Sequence, residues 1–290
     1  MPELAAPLLA WYDRAARNLP WRSPDATPWA VLVSEFMLQQ TPVNRVLPVY
    51  TEWLERWPQP AALAADSPGE AVRRWGRLGY PRRALRLYAA AVVIRDRHHG
   101  AVPAEVSDLE ALPGVGSYTA RAVAAFAFGK RVPVVDTNVR RVVARAVNGS
   151  GAAGPAATAR DMAAVEALLP MAPDSAARFS VALMELGALV CVAGVPRCAD
   201  CPLAGGCAWR TAGCPPYTGP RPRAQKFSGT DRQVRGLLMA ILRESAQPVG
   251  KAALDLVWAD ARQRERALAG LVSDGLAVRH GDGRYALPSR

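Results

Sequence analysis

The apolar positions between Leu4 and about Leu189 predict a succession of helices that proline and glycine interrupt. No part of this region has the sustained two-residue alternation that is typical of strands. The first clear element begins at Thr27-Pro28, a capping residue followed by proline, and ends before Thr41-Pro42. Further helices are predicted at about 43–56, 60–64, 67–77, 81–98, 107–111, 117–129, 137–147, 158–169 and 174–189. The body of the chain is therefore predicted to be all-α.

The pattern changes after Cys214. Proline, glycine and basic residues over 216–229 predict an extended basic linker at a domain boundary. Beyond the linker we predict helices at 231–244, 249–258 and 261–274, and then short strands at 276–280 and 284–287 around a Gly-Asp-Gly turn. Three helices followed by a hairpin resemble a winged helix.

Composition narrows the class of protein. The chain has 290 residues and a mass of 31.0 kDa, enough for about two domains that each bury a core. Half of the residues are apolar, and no apolar run approaches the ~20 residues that span a bilayer, so we expect a soluble protein without membrane contact. The start, Met1-Pro2-Glu3-Leu4, lacks the features of a signal peptide, which predicts a cytoplasmic location. The net charge of +11 favours a polyanionic partner, above all nucleic acid.

Four of the five cysteines lie close together, in the pattern Cys191-x6-Cys198-x2-Cys201-x5-Cys207. In a reducing compartment such a group is typical of a metal centre, either tetrahedral zinc or an iron–sulfur cluster. Zinc sites usually pair two C-x2-C motifs across a longer insert, and only one such motif is present. The spacing therefore favours one [4Fe–4S] cluster, with zinc and four buried unligated thiols as the alternatives. Cys214 falls outside the pattern.

A glycine-containing turn separates two predicted helices. Its glycines allow a tight turn and expose backbone N–H groups at the start of the second helix, where an anion can bind. An ordinary helix–helix turn is the alternative for this segment taken alone. In a basic, helical chain with four clustered cysteines, the motif predicts a hairpin that grips DNA phosphate without reading sequence. The predicted DNA-binding residues are Leu112, Gly114, Val115, Gly116 and Ser117.

Two carboxylates stand out from their surroundings. Asp136 ends an apolar stretch just before a predicted helix, so it is interpreted as a helix N-cap, a catalytic group, or both. Glu35 interrupts an otherwise apolar helix, where desolvation would raise its pKa and suit a general acid. A partly exposed glutamate is the alternative for Glu35.

These motifs occur in the order seen in the helix–hairpin–helix DNA glycosylases, and the chain resembles the MutY-type adenine DNA glycosylases. The resemblance rests on Glu35 in Ser34-Glu35-Phe36-Met37-Leu38-Gln39-Gln40-Thr41, the hairpin at 112–120, Val135-Asp136-Thr137-Asn138-Val139 and the four cysteines. It covers about residues 8–214. It implies a two-lobed all-α fold with an iron–sulfur loop, and a partner that is double-stranded DNA with adenine opposite 8-oxoguanine or guanine. We expect a monomer, associated with the nucleoid.

The resemblance also implies domain limits. The glycosylase domain would span 1–215, with a six-helix barrel at about 24–130 and a cluster lobe at about 1–23 and 131–215 that holds the iron–sulfur loop at 191–207. The linker at 216–229 and a winged-helix-like domain at 230–290 would follow.

The same resemblance implies roles for single residues. Glu35 would protonate the flipped adenine at N7, and Asp136 would stabilise the oxocarbenium-like sugar, with Tyr118 and Asn138 in the same hydrogen-bonded network. Trp21 would stack on the base, Gln40 would wedge into the helix and Tyr80 would contact the opposite base. The complete set of implied base-binding residues is Arg17, Trp21, Arg22, Leu38, Gln39, Gln40, Val43 and Tyr80.

One contrast with a related family, two departures from the MutY-type pattern and two alternative functions accompany this interpretation. In the related endonuclease III family a lysine at the hairpin attacks the sugar, whereas this chain has Tyr118, which predicts a monofunctional glycosylase. Val181 stands where the family typically has a polar base-contacting residue, and the 230–290 segment is too short for the family's Nudix-like domain. The alternative functions are a bifunctional lyase acting on oxidised pyrimidines and a non-catalytic iron–sulfur DNA-binding regulator.

Overall fold

The computed structural model describes residues 4–220 and 227–289. Residues 1–3 of the N-terminal stretch that underlies the location prediction, and the 221–226 part of the predicted linker, lie outside the described residues. Within the described ranges the chain forms 15 α-helices and one two-stranded antiparallel sheet. The helices are α1 (Ala5–Ala15), α2 (Pro28–Leu38), α3 (Val43–Arg56), α4 (Pro60–Ala65), α5 (Pro68–Trp75), α6 (Arg82–Arg97), α7 (Val106–Glu110), α8 (Ser117–Phe128), α9 (Thr137–Ala146), α10 (Ala159–Leu168), α11 (Pro173–Leu189), α12 (Ala208–Thr211), α13 (Asp231–Glu244), α14 (Lys251–Asp255) and α15 (Ala261–Ser273). The strands are β1 (Val278–Arg279) and β2 (Tyr285–Ala286).

The all-α prediction is confirmed, and most predicted helices agree with the structure to within two residues. The helix predicted at 249–258 is wrong at both ends, because α14 covers only Lys251–Asp255. The backbone of Val249 instead exchanges two hydrogen bonds with Tyr285, at 2.7 and 2.8 Å, and so extends the hairpin by one bridge. Neither α1 nor α12 was given a range from the sequence.

The described residues form two compact units. Unit 1 comprises residues 4–31, 104–110 and 115–220, and unit 2 comprises residues 32–103, 111–114 and 227–289. The C-terminal segment belongs to the same unit as α3 to α6, because α13 packs on α5. The predicted domain limits stay a prediction, since a compact unit is not by itself an independently folding domain.

The core of unit 1 forms where α9, α11 and α1 pack together. Leu8, Val139, Phe179, Leu183 and Leu186 are fully buried there, and burial of such side chains contributes roughly 1.5–3 kcal/mol each. This packing fixes α9, which begins at Asp136, against α11, which leads into the cysteine loop.

Unit 2 is built around three tryptophans. Trp53 contacts Trp57 and Trp75 edge-to-face, with ring centroids 4.6 and 5.6 Å apart, and all three side chains are buried. No helix among the described residues is both long and apolar enough to span a membrane.

Candidate active site and metal centre

Asp136 caps the N-terminus of α9. Its backbone is extended, its Oδ1 accepts a hydrogen bond from the Val139 N–H at 2.7 Å, and its Oδ2 accepts one from Nδ2 of Asn138 at 2.8 Å. Burial raises the pKa of Asp136, while the hydrogen bonds from Val139 and Asn138 and the charge of Arg141 oppose part of that rise. The N-cap interpretation is confirmed, and both carboxylate oxygens are held in place.

Arg141 connects Asn138 to the cysteine loop. Its Nη2 donates to Oδ1 of Asn138 at 2.7 Å and to the Gly187 carbonyl at 2.8 Å, and its Nε donates to the Cys191 carbonyl at 2.7 Å. The Asn138 amide is therefore oriented from both ends, with its nitrogen toward Asp136. Helix α11 approaches closely because Gly187 lacks a side chain; an added Cβ would lie 2.6 Å from Cβ of Asn138.

The four predicted ligand cysteines come together. All four line one cavity that also contacts Arg145, Arg197, Arg210 and Trp209. Nη1 of Arg145 lies 3.4 Å from Sγ of Cys191, and its guanidinium carbon lies 4.9 Å from the centroid of the Trp209 ring. The lining is thus positively charged around the sulfurs, which suits a group held by thiolates.

Among residues 4–220 and 227–289, no three Cys, His, Asp or Glu side chains are grouped so that they could hold one metal ion. A tetrahedral zinc ion needs four sulfurs within one coordination shell, at about 2.3 Å from the metal. The four thiols that line the shared cavity are a donor set that both zinc and an iron–sulfur cluster use. Cys214 is exposed and does not line the cavity.

Arg17 and Arg22 both bind Glu185, which the sequence analysis did not identify as a site residue. Nε and Nη2 of Arg17 donate to the two Glu185 oxygens at 2.8 and 2.7 Å, and Nη2 of Arg22 donates at 2.9 Å. The Glu185 side chain is fully buried. Burial opposes its ionisation, but the hydrogen bonds from Arg17 and Arg22 outweigh that effect and lower the pKa of Glu185 to about 2.

Glu35 lies on α2 within unit 2 and is buried, with 5% of its surface exposed. The residues on both sides of it, Ser34 and Phe36, are also buried. The alternative of a partly exposed glutamate is therefore wrong. Glu35 is thus desolvated, as a general acid requires, although the helix pattern taken alone favours partial exposure.

Two exposed loops carry Gln40 and Tyr80. Each residue has a left-handed backbone, with φ of 55° and 47°, which is uncommon outside glycine. Residues 76–81, here called the Tyr80 loop, join α5 to α6. Arg83 braces this loop against the Gln40 segment, because its guanidinium donates to the Gln39 carbonyl and lies 4.5 Å from the centroid of the Tyr80 ring. Thr41 adds a 3.3 Å hydrogen bond to the Leu78 carbonyl.

The predicted hairpin lies between α7 and α8. Gly114 has a φ of 80°, and a Cβ there would come within 2.6 Å of Cβ of Arg86, so only glycine fits. Leu112 and Val115 are buried, whereas Gly116 and Ser117 are exposed at the start of α8. The exposed end of the hairpin therefore presents backbone N–H groups to solvent.

The remaining predicted residues lie in both units. In unit 1, Tyr118 packs half-buried with Ala122 and Val134, and Trp21 is 8% exposed in a turn at Pro20–Arg22. In unit 2, Leu38, Gln39 and Val43 are half-buried near the end of α2.

Comparison with known proteins gives consistent matches. Residues 33–166 match the model of the HhH-GPD superfamily of base excision DNA repair proteins. An adenine DNA glycosylase of Mycobacterium tuberculosis is 58% identical over 97% of this chain and 92% of its own length. The human adenine DNA glycosylase is 41% identical over 68% of this chain and 37% of its own length. A solved thermostable thymine-DNA glycosylase superposes with a TM-score of 0.64 at 26% identity, covering 72% of this chain and 95% of that chain.

Proposed function

The chain belongs to the adenine DNA glycosylases, a family of base-excision repair enzymes, and from this premise we propose that it hydrolyses the N-glycosidic bond of adenine opposite 8-oxoguanine or guanine. Identity of 58% along nearly the whole chain supports adenine as the excised base. The proposed chemistry rests mainly on the position of Asp136. Its two carboxylate oxygens accept hydrogen bonds from the Val139 N–H and the Asn138 side chain.

In the proposed reaction, Glu35 acts as the general acid. It donates a proton to N7 of the flipped adenine, the C1′–N9 bond breaks, and the bonding electrons leave with the base. The fixed Asp136 carboxylate stabilises the positive charge that develops on the sugar. Water then adds at C1′ and releases a proton, which leaves an abasic site. Two carboxylates in different surroundings can hold the two protonation states that this division of roles requires.

Residues of unit 1 are proposed to bind the adenine. Trp21 offers an aromatic face for stacking, and the pairing of Arg17 and Arg22 with Glu185 fixes both guanidinium groups. Within the described residues, Nη1 of Arg22 is buried without a hydrogen-bond partner, so this donor is left for a base or a phosphate. Leu38 and Val43 of unit 2 are proposed to add apolar contacts.

Gln40 and Tyr80 are proposed to enter the DNA helix. Both are exposed, both have strained backbones, and Arg83 links their two segments. Backbone strain of this kind is found at sites that must present a side chain to a ligand. Gln40 would fill the space left by the flipped adenine, and Tyr80 would contact the base opposite. The exposed N–H groups at Gly116 and Ser117 would bind a phosphate.

The lysines support a monofunctional reaction. A lyase needs an unprotonated amine to attack the sugar. Of the two lysines among the described residues, Lys130 pairs with Glu105, and Lys251 pairs with Asp255 and Glu265. Tyr118 stands at the hairpin position and has no amine to offer.

We further propose that Cys191, Cys198, Cys201 and Cys207 hold one [4Fe–4S] cluster. The four-thiol donor set and the shared cavity support this assignment. When bound, the cluster would join residues 191–207 into one rigid loop. Arg141 would transmit that rigidity to Asn138 through its bond to the Cys191 carbonyl.

A single-turnover assay tests the function. Excess protein is incubated with duplexes that carry adenine opposite 8-oxoguanine, adenine opposite guanine, thymine opposite guanine, or thymine glycol, and strands are analysed before and after alkali. We expect adenine release and strand breaks only after alkali. Direct cleavage at thymine glycol would replace the proposal with a lyase acting on oxidised pyrimidines. Release of thymine alone would replace it with a thymine glycosylase.

Variants test the roles of the carboxylates. Glu35→Gln and Asp136→Asn should each slow adenine release by about a hundredfold or more. Binding of the same duplex, measured by fluorescence anisotropy, should change little. Glu55→Gln, an exposed glutamate on α3, is the matched control and should behave as the unmodified protein. Unchanged release in Glu35→Gln would contradict the general-acid role.

A further inference from the structure

The C-terminal segment contacts α5, the helix before the Tyr80 loop. Gly69 of α5 packs so closely on the end of the chain that an added Cβ would lie 2.4 Å from the Pro288 carbonyl oxygen and 3.0 Å from Cβ of Leu287. The guanidinium of Arg73, one turn later, donates to the Arg243 carbonyl near the end of α13. The start and the middle of α5 are therefore both held by residues beyond 230.

The same segment contacts α6, the helix after the Tyr80 loop. Oδ1 of Asp274 lies 3.2 Å from Nη1 of Arg82, the first residue of α6, and Oδ2 of Asp274 pairs with Arg235 of α13. The turn that follows Asp274 also approaches Leu85, since a Cβ on Gly275 would lie 3.9 Å from a Leu85 methyl carbon. One carboxylate thus joins the start of α6 to the C-terminal helices.

The loop between these two helices is held in part by its neighbours, because Thr41 and Arg45 donate to the Leu78 and Arg77 carbonyls. Gly76, Gly79 and Tyr80 have left-handed backbones, and the Gly79 carbonyl accepts a 2.9 Å hydrogen bond from the indole of Trp75. Tyr80 itself is 48% exposed. These contacts hold the middle of the loop, and the positions of α5 and α6 set where its two ends lie.

We propose that the C-terminal segment, residues 230–289, is a positioning element for the Tyr80 loop, and that Asp274 controls discrimination of the base opposite adenine. The inference rests on the proposed contact of Tyr80 with that base. Asp274 has this role because it binds Arg82 of α6 and Arg235 of α13 at the same time. Loss of its charge frees the start of α6 without removing any residue that touches DNA.

The partial exposure of the Arg82–Asp274 ion pair determines how large a change in discrimination we expect. The Arg82 side chain is 56% exposed and that of Asp274 is 25% exposed, so the pair contributes modestly to overall stability. A small shift in the loop is sufficient, however, because discrimination depends on where the Tyr80 ring lies. We expect a change of about two- to fivefold, the range that corresponds to a partly exposed ion pair.

The experiment uses the full-length chain in four forms: unmodified, Asp274→Asn, Arg82→Ala and Asp282→Asn. The last is a matched control, because it breaks the Arg284–Asp282 ion pair of the hairpin turn and leaves Arg82 and Asp274 intact. Hydrogen–deuterium exchange of the Tyr80 loop reports its order. The ratio of single-turnover rates on adenine opposite 8-oxoguanine and adenine opposite guanine reports discrimination.

We expect faster exchange of the Tyr80 loop in Asp274→Asn and Arg82→Ala, with a rate ratio that moves about two- to fivefold toward unity. Asp282→Asn should change neither quantity. Unchanged exchange in both test variants would overturn the positioning role, whatever the activity. Faster exchange with an unchanged rate ratio would overturn the control of discrimination. If the unmodified protein releases no adenine, the proposed function fails, while exchange still decides whether Asp274 orders the loop.

Discussion

Nδ2 of Asn138 lies 2.8 Å from Oδ2 of Asp136, so a neutral amide supports the carboxylate that α9 already binds through the Val139 N–H. Because Arg141 orients the same amide, Asn138 presents a donor and not an acceptor to Asp136. This relationship makes the ionised form of Asp136 the favoured partner of Asn138.

Asn138→Ala should therefore slow adenine release by about tenfold or more at neutral pH, the range for a hydrogen bond to a charged group. It should also shift the acidic limb of the pH–rate profile to higher pH. Burial already raises the pKa of Asp136, and removal of a donor raises it further. Single-turnover rates across pH check this, with Asn44→Ala, an exposed position, as control. An unshifted acidic limb would contradict the role.

Glu185 should make the free energy of unfolding depend on pH at acidic pH. Its pKa is lowered from 4.5 to about 2 in the folded chain, so its stabilising contribution is complete above about pH 4.5 and is lost as the pH falls through about 2. The difference between these values corresponds to about 3 kcal/mol. Urea unfolding gives the free energy of unfolding of the unmodified protein and of Glu185→Gln. The difference between the two free energies should shrink by about that amount from about pH 5 to about pH 2. A constant difference would show that Glu185 does not titrate in this range.

Cys198→Ser should lose most of the bound metal, whereas Cys214→Ser should keep it. Cys198 lines the shared cavity, and Cys214 is exposed outside it. Iron and acid-labile sulfide analysis of the two purified variants checks the prediction. Zinc without sulfide in the unmodified protein would exclude the proposed cluster.

Gly69→Ala should destabilise the protein, and Gly236→Ala should stabilise it. Alanine in place of glycine favours a helix by roughly 0.5–1 kcal/mol, and a Cβ at Gly236 of α13 meets no atom within 4 Å. At Gly69 the Cβ would collide with Pro288, at a cost of about 1–3 kcal/mol. Thermal unfolding of both variants checks the sign. Equal stabilisation by both would mean that the C-terminal residues do not pack on α5 in solution.

The sequence predicted the helices well, because proline, glycine and capping residues mark their ends locally. The limits of α3 and α13, Val43–Arg56 and Asp231–Glu244, agree with their predictions at both ends. The helix at 249–258 failed because a distant residue, Tyr285, pairs with Val249, and no local pattern reports that pairing.

The candidate site was predicted only in part. Glu35 and Asp136 could be found because each is a carboxylate in an apolar surrounding. Glu185 carries the same signal, in Ala182-Leu183-Met184-Glu185-Leu186, but its arginine partners lie more than 160 residues away in the chain. The contacts of Arg141 could not be predicted, since they join α9 to two carbonyl groups about 50 residues away in the chain, and spacing along a sequence does not report such contacts.

The left-handed backbones of Gln40 and Tyr80 imply a conflict between the stability of the fold and the recognition of DNA. Each non-glycine residue in this conformation costs on the order of 1 kcal/mol, a cost that glycine or asparagine would largely remove. A laboratory selection for thermal stability alone would therefore favour glycine or asparagine at positions 40 and 80. The resulting enzymes would be more stable and would have lost the side chains proposed to enter DNA.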